Sequence, residues 1–208
     1  MADYLIGTPS ARRRIGILPS AFNPPTIAHL ALAAAAEQSA QLDQVVFALP
    51  RNLPHKSFAG ASLDQRIEMV QAAIKAKPAR AAALTTGGLF IDIAREFRQL
   101  CEPITEIFLV CGKDAAERFA RWDYGTGASL DEQLEEFTLL VGDRFGRYEP
   151  PTVQHGRILS VPLPLDMSRV SSRALRALRA QDEDWRPLTV DGVAQLIEEW
   201  ALYQQPDR

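Results

Sequence analysis

Short apolar segments alternate with amphipathic ones along the chain, and this alternation constrains the fold more than any other feature of the sequence. The apolar segments are rich in Val, Ile, Leu and Phe, which predicts short buried strands. We predict strands at residues 15–18, 44–49, 81–84, 104–111, 138–141 and 158–161. Because near-continuous apolar strands are typical of a parallel sheet covered on both faces, we expect an α/β fold with helices on both sides of one sheet.

Helices are predicted between and after these strands, at residues 26–40, 62–77, 91–100, 114–122, 130–137, 171–180 and 190–203. No linker, low-complexity tract or internal repeat divides the chain, and 208 residues is a length that one α/β domain can have. We therefore predict a single domain over residues 12–205, in which residues 166–205 form a small C-terminal helical subdomain.

Composition argues against several classes of function. The 23 Lys and Arg against 26 Asp and Glu give a net charge of −3, without the basic excess of a nucleic-acid-binding protein. The Ala-rich stretch at residues 30–36 is too short to cross a bilayer. Cys101 and Cys111 form no metal or redox motif, which fits a reducing cytoplasm. We expect a cytoplasmic protein with no nucleic-acid or membrane partner, and the sequence leaves open whether it is a homo-oligomer.

The first candidate site follows the strand at residues 15–18. Residues 19–29, PSAFNPPTIAH, lead into a helix whose free N–H groups and positive dipole end suit an anion, with Asn23 as a predicted N-cap. Thr26 and His29 are three residues apart, so a hydroxyl and an imidazole on the first turn can both donate to phosphate. A capped helix with a surface histidine fits this spacing equally well. The phosphate-binding patterns G-x-x-x-x-G-K-[ST] and G-x-G-x-x-G are absent, which disfavours the proteins built on them.

A second candidate site lies near the other end of the chain, at residues 170–176, VSSRALR. Ser171 or Ser172 is predicted to cap a helix, and Arg176 lies one turn beyond Ser172 on the same face. A helix N-terminus, hydroxyls and a guanidinium together suit a pyrophosphate. Alone, the pattern also describes a capped, Arg-rich surface helix.

The first segment resembles the nucleotidyltransferase signature G-x-F-x-P-x-[HT]-x-G-H, with Phe22, Pro24, Thr26 and His29 on matching positions. The resemblance implies a Rossmann-like parallel sheet of the nucleotidyltransferase type. It also implies that His29 contacts the α-phosphate of ATP and that Thr26 contacts the outer phosphates. Ser20 and Phe22 would belong to the same ATP-binding loop.

The second segment is similar to the I-S-S-T-x-I-R segment of the same proteins, with Arg173 at the Thr position. This similarity implies that Ser171, Ser172 and Arg176 hold the outer phosphates. Mg²⁺ would arrive with ATP, bound mostly by phosphate and water, so no protein side chain is predicted as a metal ligand.

Three further stretches resemble the nicotinate mononucleotide adenylyltransferases. Residues 50–56 match the loop P-x-x-x-P-H-K, which implies that His55 and Lys56 bind the acceptor. Gly112, Asp114 and Trp122 match a G-x-D…W stretch. There Gly112 and Asp114 would contribute to ATP binding, and Trp122 would stack on the pyridine ring. Asp114 as an N-cap and Trp122 as a core residue are equally open interpretations. Residues 189–203 resemble the closing helix of that family, with Val190 where proline is usual.

The sequence departs from the family at several positions. Pro19-Ser20 replaces a glycine pair or Pro-Gly, Asn23 replaces Asp, and Ala28 replaces Gly. Pro19 removes a backbone donor and Ala28 adds a methyl group near the expected ligand. The family pattern S-Y-T-x-D-T is also replaced around residues 87–93, where Phe90 lies.

The resemblance implies an enzyme that transfers AMP from ATP to nicotinate mononucleotide, releasing pyrophosphate, in NAD biosynthesis. Its partners would be the small-molecule substrates ATP and a pyridine mononucleotide. Two alternatives stay open. One is an adenylyltransferase for another phosphorylated acceptor, either nicotinamide mononucleotide or phosphopantetheine. The other is a nucleotide-binding protein that has lost turnover.

Overall fold

The computed structural model describes residues 1–7, 13–51, 60–125, 127–143, 148–149 and 156–205. The strands are β1 (Asp3–Ile6), β2 (Arg14–Pro19), β3 (Gln44–Pro50), β4 (Arg80–Thr85), β5 (Glu106–Gly112), β6 (Thr138–Asp143) and β7 (Ile158–Pro162). The α-helices are α1 (Ile27–Ser39), α2 (Leu63–Ile74), α3 (Phe90–Arg98), α4 (Lys113–Arg121), α5 (Leu130–Glu136), α6 (Ser172–Ala180) and α7 (Asp191–Glu199). Every predicted strand and helix is therefore confirmed, although the last helix ends earlier than predicted.

The strands form one sheet in the order β1-β4-β3-β2-β5-β6-β7. All neighbours from β4 to β7 are parallel, and β2 lies between β3 and β5. The chain builds β2, β3 and β4 outward on one side and then returns to β5 beside β2. Because strand order reverses between β2 and β5, the loops after these two strands lie at the position where open α/β sheets bind ligands.

One strand was not predicted. Residues Asp3–Ile6 form β1, which pairs antiparallel with β4 at the edge of the sheet. The predicted parallel sheet is confirmed from β4 to β7, and β1 adds one antiparallel strand at its edge. Tyr4 packs edge-on against Phe97 with ring centroids 5.8 Å apart, and Asp3 forms an ion pair with Arg51. Four residues have too little local signal to predict a strand, and tertiary pairing supplies the rest.

The apolar side chains alternate between the two faces of the sheet, as the period of a strand requires. Ile15 and Ile17 of β2 belong to a buried cluster with residues of α3, α4 and α5. Leu18 and Phe47 belong to a second buried cluster with residues of α1 and α2. The prediction of helices on both faces of the sheet is confirmed.

A third buried cluster joins the last two helices to α2. It contains Met69 of α2, Leu175 of α6, Ile197 of α7 and Trp185 between them. The C-terminal helices thereby lie beside the helix that follows β3, close to the ligand-binding edge of the sheet. Within the described ranges, no helix combines the length and apolar character that a membrane span requires.

Candidate active site

The loop after β2 leaves the sheet at Pro19 and enters α1 at Ile27. Ser20 N–H donates to Ala48 O at 3.1 Å, so the pairing with β3 continues past the proline. Thr26 is the N-cap of α1, which makes the prediction of Asn23 as the N-cap wrong. Asn23 lies three residues before this cap, and its amide oxygen accepts from Ala61 N–H and from Tyr203 OH instead. We call residues 20–26 the signature loop.

His29 is fixed by the residue that caps its own helix. Its Nδ1 accepts from Thr26 N–H at 3.1 Å and lies 2.8 Å from Thr26 Oγ1. Because the backbone N–H needs an acceptor, Nδ1 is assigned as the unprotonated nitrogen, and Nε2 carries the proton of the neutral ring. Nε2 lies 3.3 Å from Ser20 Oγ, so its N–H is directed at the start of the signature loop.

Thr26 and Phe22 both contact the His29 ring and help to fix its position. Thr26 is 1% exposed, and its hydroxyl lies against the His29 ring, so its predicted contact with the outer phosphates stays a prediction. Phe22 is fully buried, with ring centroids 5.1 Å from His29 and 5.4 Å from Phe47. Its φ of 46° lies in the left-handed region, which costs energy for a residue with a side chain. Burial of the ring offsets that cost and fixes the backbone turn.

The N-terminus of α6 meets the N-terminus of α1. Ser171 caps α6 by accepting from Ala174 N–H at 3.0 Å, so the cap predicted there is confirmed. Ser172 Oγ donates to Pro24 O at 2.7 Å, and Arg176 Nη1 donates to Asn23 O at 2.6 Å. Two helix N-termini therefore converge on one loop, and both can attract an anion there.

Sequence analysis missed three residues that also bind the signature loop. Arg66 Nη1, from α2, donates to Ala21 O at 3.0 Å. Thr189 Oγ1, just before α7, donates to Pro25 O at 2.8 Å, and Tyr203 OH donates to Asn23 Oδ1 at 2.6 Å. Their targets are backbone carbonyls and one amide, which leave no motif at the donor's position. The one signal in the sequence is the position of Arg66, which falls on the apolar face of a predicted amphipathic helix.

The site side chains after β5 are more exposed to solvent. Gly112 is the N-cap of α4, so Asp114 is not the cap, and Asp114 is exposed on the first turn. A Cβ placed on Gly112 would have no atom of the described chain within 4 Å. Trp122 follows α4 and is 39% exposed, which excludes a core tryptophan. Space and an aromatic face are therefore available on this side.

The segment that departs from the family forms the start of α3. Leu89 is its N-cap and Phe90 its first residue, and the Phe90 and Phe119 ring centroids lie 5.3 Å apart. The turn before α3 is held by Glu96, whose carboxylate accepts from Thr86 N–H at 3.0 Å. The departure thus brings an aromatic side chain into contact with α4.

Burial sets the protonation of two groups near β5 and α4. Burial raises the pKa of the Cys111 thiol to about 12, and the nearby Arg118 lowers it by less. The thiol is therefore neutral at physiological pH and is not a nucleophile. Burial also raises the pKa of Tyr124 to about 12, while a hydrogen bond with Gln133 acts in the opposite direction.

Two of the predicted acceptor-binding residues, His55 and Lys56, lie outside the described residues. In the part of the chain that the structure describes, no group of three or more His, Cys, Asp or Glu side chains could hold a metal ion.

The fold is that of the nucleotidyltransferases. A Plasmodium falciparum nicotinic acid mononucleotide adenylyltransferase complexed with NaAD has a TM-score of 0.72 at 15% identity. The similarity covers 92% of this chain and 98% of that chain. A likeness at this identity shows the fold alone.

Sequence comparison extends the likeness to a family. Residues 17–178 match the family described as cytidylyltransferase-like. A probable nicotinate-nucleotide adenylyltransferase of Methylibium petroleiphilum is 34% identical over 212 residues, covering 95% of both chains. Another, of Exiguobacterium sibiricum, is 32% identical over 196 residues, covering 91% of this chain and 98% of that one. The chain therefore belongs to the cytidylyltransferase-like family and, within it, to the nicotinate-nucleotide adenylyltransferases. The resemblance drawn from the sequence is confirmed.

Proposed function

We propose that this enzyme transfers the adenylyl group of ATP to nicotinate mononucleotide, giving nicotinate adenine dinucleotide and pyrophosphate for NAD biosynthesis. The observation that carries the proposal is the His29 side chain at the N-terminus of α1. Its Nδ1 is occupied by Thr26, and its Nε2–H is directed at the signature loop. Family membership favours this acceptor over other phosphorylated compounds.

The reaction needs position and charge neutralisation rather than a covalent intermediate. A phosphate oxygen of the acceptor attacks the α-phosphorus of ATP in line, and the bond from that phosphorus to the bridging oxygen breaks as pyrophosphate leaves. In the proposed role, His29 Nε2–H donates to a non-bridging oxygen of the α-phosphate, where charge develops. Thr26 contributes by orienting the ring, with Ser20 and Phe22 shaping the loop.

The outer phosphates would lie between the N-termini of α1 and α6. Ser171 and Ser172 are on the first turn of α6, and Arg176 lies one turn further. Arg176 Nη1 donates to Asn23 O. A guanidinium has five N–H groups, so Arg176 is proposed to bind the loop and the pyrophosphate at the same time. Mg²⁺ would enter as part of the ATP substrate and would neutralise charge on its phosphates.

The acceptor would bind beside the loop that follows β5, where the strand order reverses. Trp122 presents a partly exposed ring that suits stacking on a pyridine. On the same side, Gly112 leaves room for ATP to approach closely, and Asp114 is proposed to accept from a ribose hydroxyl of ATP. His55 and Lys56 are proposed to bind the acceptor on the strength of the P-H-K match.

The aromatic contact between Phe90 and Phe119 is the observation that favours testing other acceptors. Phe90 stands in the segment where this chain departs from the family, and it packs on Phe119 of α4, the helix that leads to Trp122. Because this change lies next to the proposed acceptor site, nicotinamide mononucleotide and phosphopantetheine are the alternative acceptors to test.

An acceptor panel read by pyrophosphate release tests the function. The protein is supplied with MgATP and, in turn, nicotinate mononucleotide, nicotinamide mononucleotide and phosphopantetheine. We expect the highest kcat/KM with nicotinate mononucleotide. A higher kcat/KM with one of the other acceptors would replace the proposed substrate. ATP binding without pyrophosphate release from any acceptor would identify a protein that has lost turnover.

Three broader properties are proposed as well: domain organisation, location in the cell and partners. We propose one domain over residues 12–205, with residues 166–205 as its helical part, because the third cluster packs α6 and α7 on α2. Both cysteines are free, which supports a reducing cytoplasm. The partners proposed are the two small-molecule substrates, and size measurement in solution would decide between a monomer and a homo-oligomer.

A further inference from the structure

We infer that Tyr203, near the end of the chain, is a positioning residue for the signature loop and acts through Asn23. Tyr203 OH donates to Asn23 Oδ1 at 2.6 Å, and both side chains are buried. The two residues are separated by 180 positions in the sequence. The inference rests on the proposed adenylyl transfer, because it assigns a role within that reaction.

The amide of Asn23 is held in one orientation by two donors. Ala61 N–H also donates to Asn23 Oδ1, at 3.3 Å. A backbone N–H can only donate, so the atom facing both Ala61 and the Tyr203 hydroxyl is the carbonyl oxygen of the amide. One oxygen thus joins the signature loop, the chain entering α2 and the end of the chain.

The Tyr203 ring fits this position closely. Gly60 has a φ of +113°, and a Cβ placed on it would lie 2.8 Å from Tyr203 Cε1. Tyr203 itself has a φ of 60°, in the left-handed region that favours glycine. The backbone of a non-glycine residue is thereby held in an uncommon conformation, and the turn directs the hydroxyl at Asn23.

Four backbone carbonyls of the signature loop are bound by side-chain donors. Donors from Arg66, Arg176, Ser172 and Thr189 bind the carbonyls of Ala21, Asn23, Pro24 and Pro25. Each such bond occupies a carbonyl oxygen that would otherwise be available to repel a phosphate. The Tyr203 bond adds a side-chain anchor in the middle of this set. A loop displaced by about 1 Å can lose about 10²-fold in rate, so an anchor at this point matters for kcat.

The test compares two hydroxyl deletions in the full-length protein. Tyr203→Phe removes the donor to Asn23 and keeps the ring. Tyr4→Phe is the matched control, because the buried Tyr4 hydroxyl has no hydrogen-bond partner among the described residues. For Tyr203→Phe we expect kcat to fall about fivefold or more, the size of one lost hydrogen bond. KM for the acceptor should change less than about twofold, and Tyr4→Phe should keep kcat within about twofold of wild type.

A second arm tests whether the effect passes through Asn23. Asn23→Asp keeps an oxygen that both donors can reach, so it should lose clearly less activity than Asn23→Ala. Tyr203→Phe should add no more than about twofold to the loss in Asn23→Ala, because the hydrogen bond through which the hydroxyl is inferred to act is already absent. Fully multiplicative losses would overturn the inference, as would a lower Tm for Tyr203→Phe with kcat unchanged well below that Tm.

Affinity for an ATP analogue with a methylene group between the α- and β-phosphorus separates this inference from the proposed function. If the wild type binds the analogue but releases no pyrophosphate from ATP with any acceptor, the proposed function fails. The role of Tyr203 is then decided by whether Tyr203→Phe weakens analogue binding, about fivefold or more, relative to Tyr4→Phe. Equal affinities of both variants, together with equal kcat where turnover exists, would overturn the role of Tyr203.

Discussion

The loop after β2 and the loop after β5 lie at the same edge of the sheet and are held very differently. The signature loop receives donors from α2, α6 and the end of the chain, and Phe22 within it is fully buried. On the other side, Trp122 and Asp114 are exposed, and Gly112 borders open space. The chain thus preorganises the side that would hold the triphosphate and leaves side chains accessible where an acceptor would bind.

This difference has a physical reason. A triphosphate is held by N–H groups and dipoles that must be aimed before it arrives, because reorienting them costs the stabilisation they provide. A planar ring can be recognised by stacking on an aromatic face, which tolerates small displacements. The departure from the family at Phe90 falls on the more tolerant side, whereas those at residues 19, 20, 23 and 28 fall in or beside the signature loop.

The largest expected effect is at His29. His29→Ala should lower kcat by about 10²–10³-fold, because it removes the donor to the α-phosphate. It also removes the acceptor for Thr26 N–H, so a modest fall in Tm is expected as well. Steady-state kinetics and thermal unfolding on the same preparation measure both effects.

His29→Gln separates the two roles of that side chain. Glutamine at this position of a helix can accept from the N-cap N–H, so Tm should recover while kcat does not. If His29→Gln recovered kcat together with Tm, the imidazole would serve only to cap α1, and the preorganised side would lose its proposed catalytic group.

Arg176 carries the next largest expectation. Arg176→Ala should lower kcat about tenfold or more and also lower Tm, because Asn23 O loses its donor. Arg176→Lys should recover only part of kcat, because an ammonium cannot reproduce the planar fork that binds loop and pyrophosphate together.

The control for lost charge is Arg13→Ala. Arg13 is exposed and precedes β2, at the opposite end of the strand from the signature loop. It should leave kcat and Tm close to wild type. Equal activity of Arg176→Lys and wild type would mean that a point charge suffices.

Trp122 tests the accessible side. Trp122→Ala should raise KM for the pyridine mononucleotide about tenfold and leave KM for ATP nearly unchanged, because only the acceptor loses a stacking face. Tm should change little, since the side chain is 39% exposed. Kinetics with each substrate varied in turn measure the split.

Trp185→Phe provides the matched buried tryptophan. Trp185 is 4% exposed within the third cluster, so its substitution should lower Tm with no preference between the two KM values. If Trp122→Ala behaved like Trp185→Phe, the acceptor side would be as closely packed as the signature loop, and the contrast between the two sides would fail.

The smallest effect concerns Tyr124, which follows Trp122 by two residues in the chain. Because burial raises its pKa to about 12, the phenol stays neutral well above the pH at which a free tyrosine ionises. A raised pKa in the folded protein contributes stability that is complete below pH 10 and lost as the pH rises through about 12. Burial also raises the pKa values of Tyr4 and Tyr148, so a tyrosinate absorbance titration of wild type should show several late ionisations, and Tyr124→Phe should lack one of them. If Tyr124→Phe instead lacks an ionisation near that of a free tyrosine, Tyr124 is open to solvent.

The sequence by itself determined the alternation of elements and the local ends of helices. The apolar runs at residues 44–49 and 138–141 and the helix cap at Ser171 depend on residues close to them in the sequence. So does the pairing of Thr26 with His29, since both atoms belong to one helical turn. Such features were predicted because their partners are near in the chain.

Tertiary structure decided what depends on distant partners. β1 exists because β4 offers an edge, and Asn23 left the predicted N-cap because its amide binds Tyr203 and Ala61. A hydrogen bond across 180 residues leaves no periodic trace in the sequence, since any donor that the fold brings to the right place can make it. The residues expected at the site could therefore be found from local patterns, whereas what holds that site in place was decided only when the chain folded.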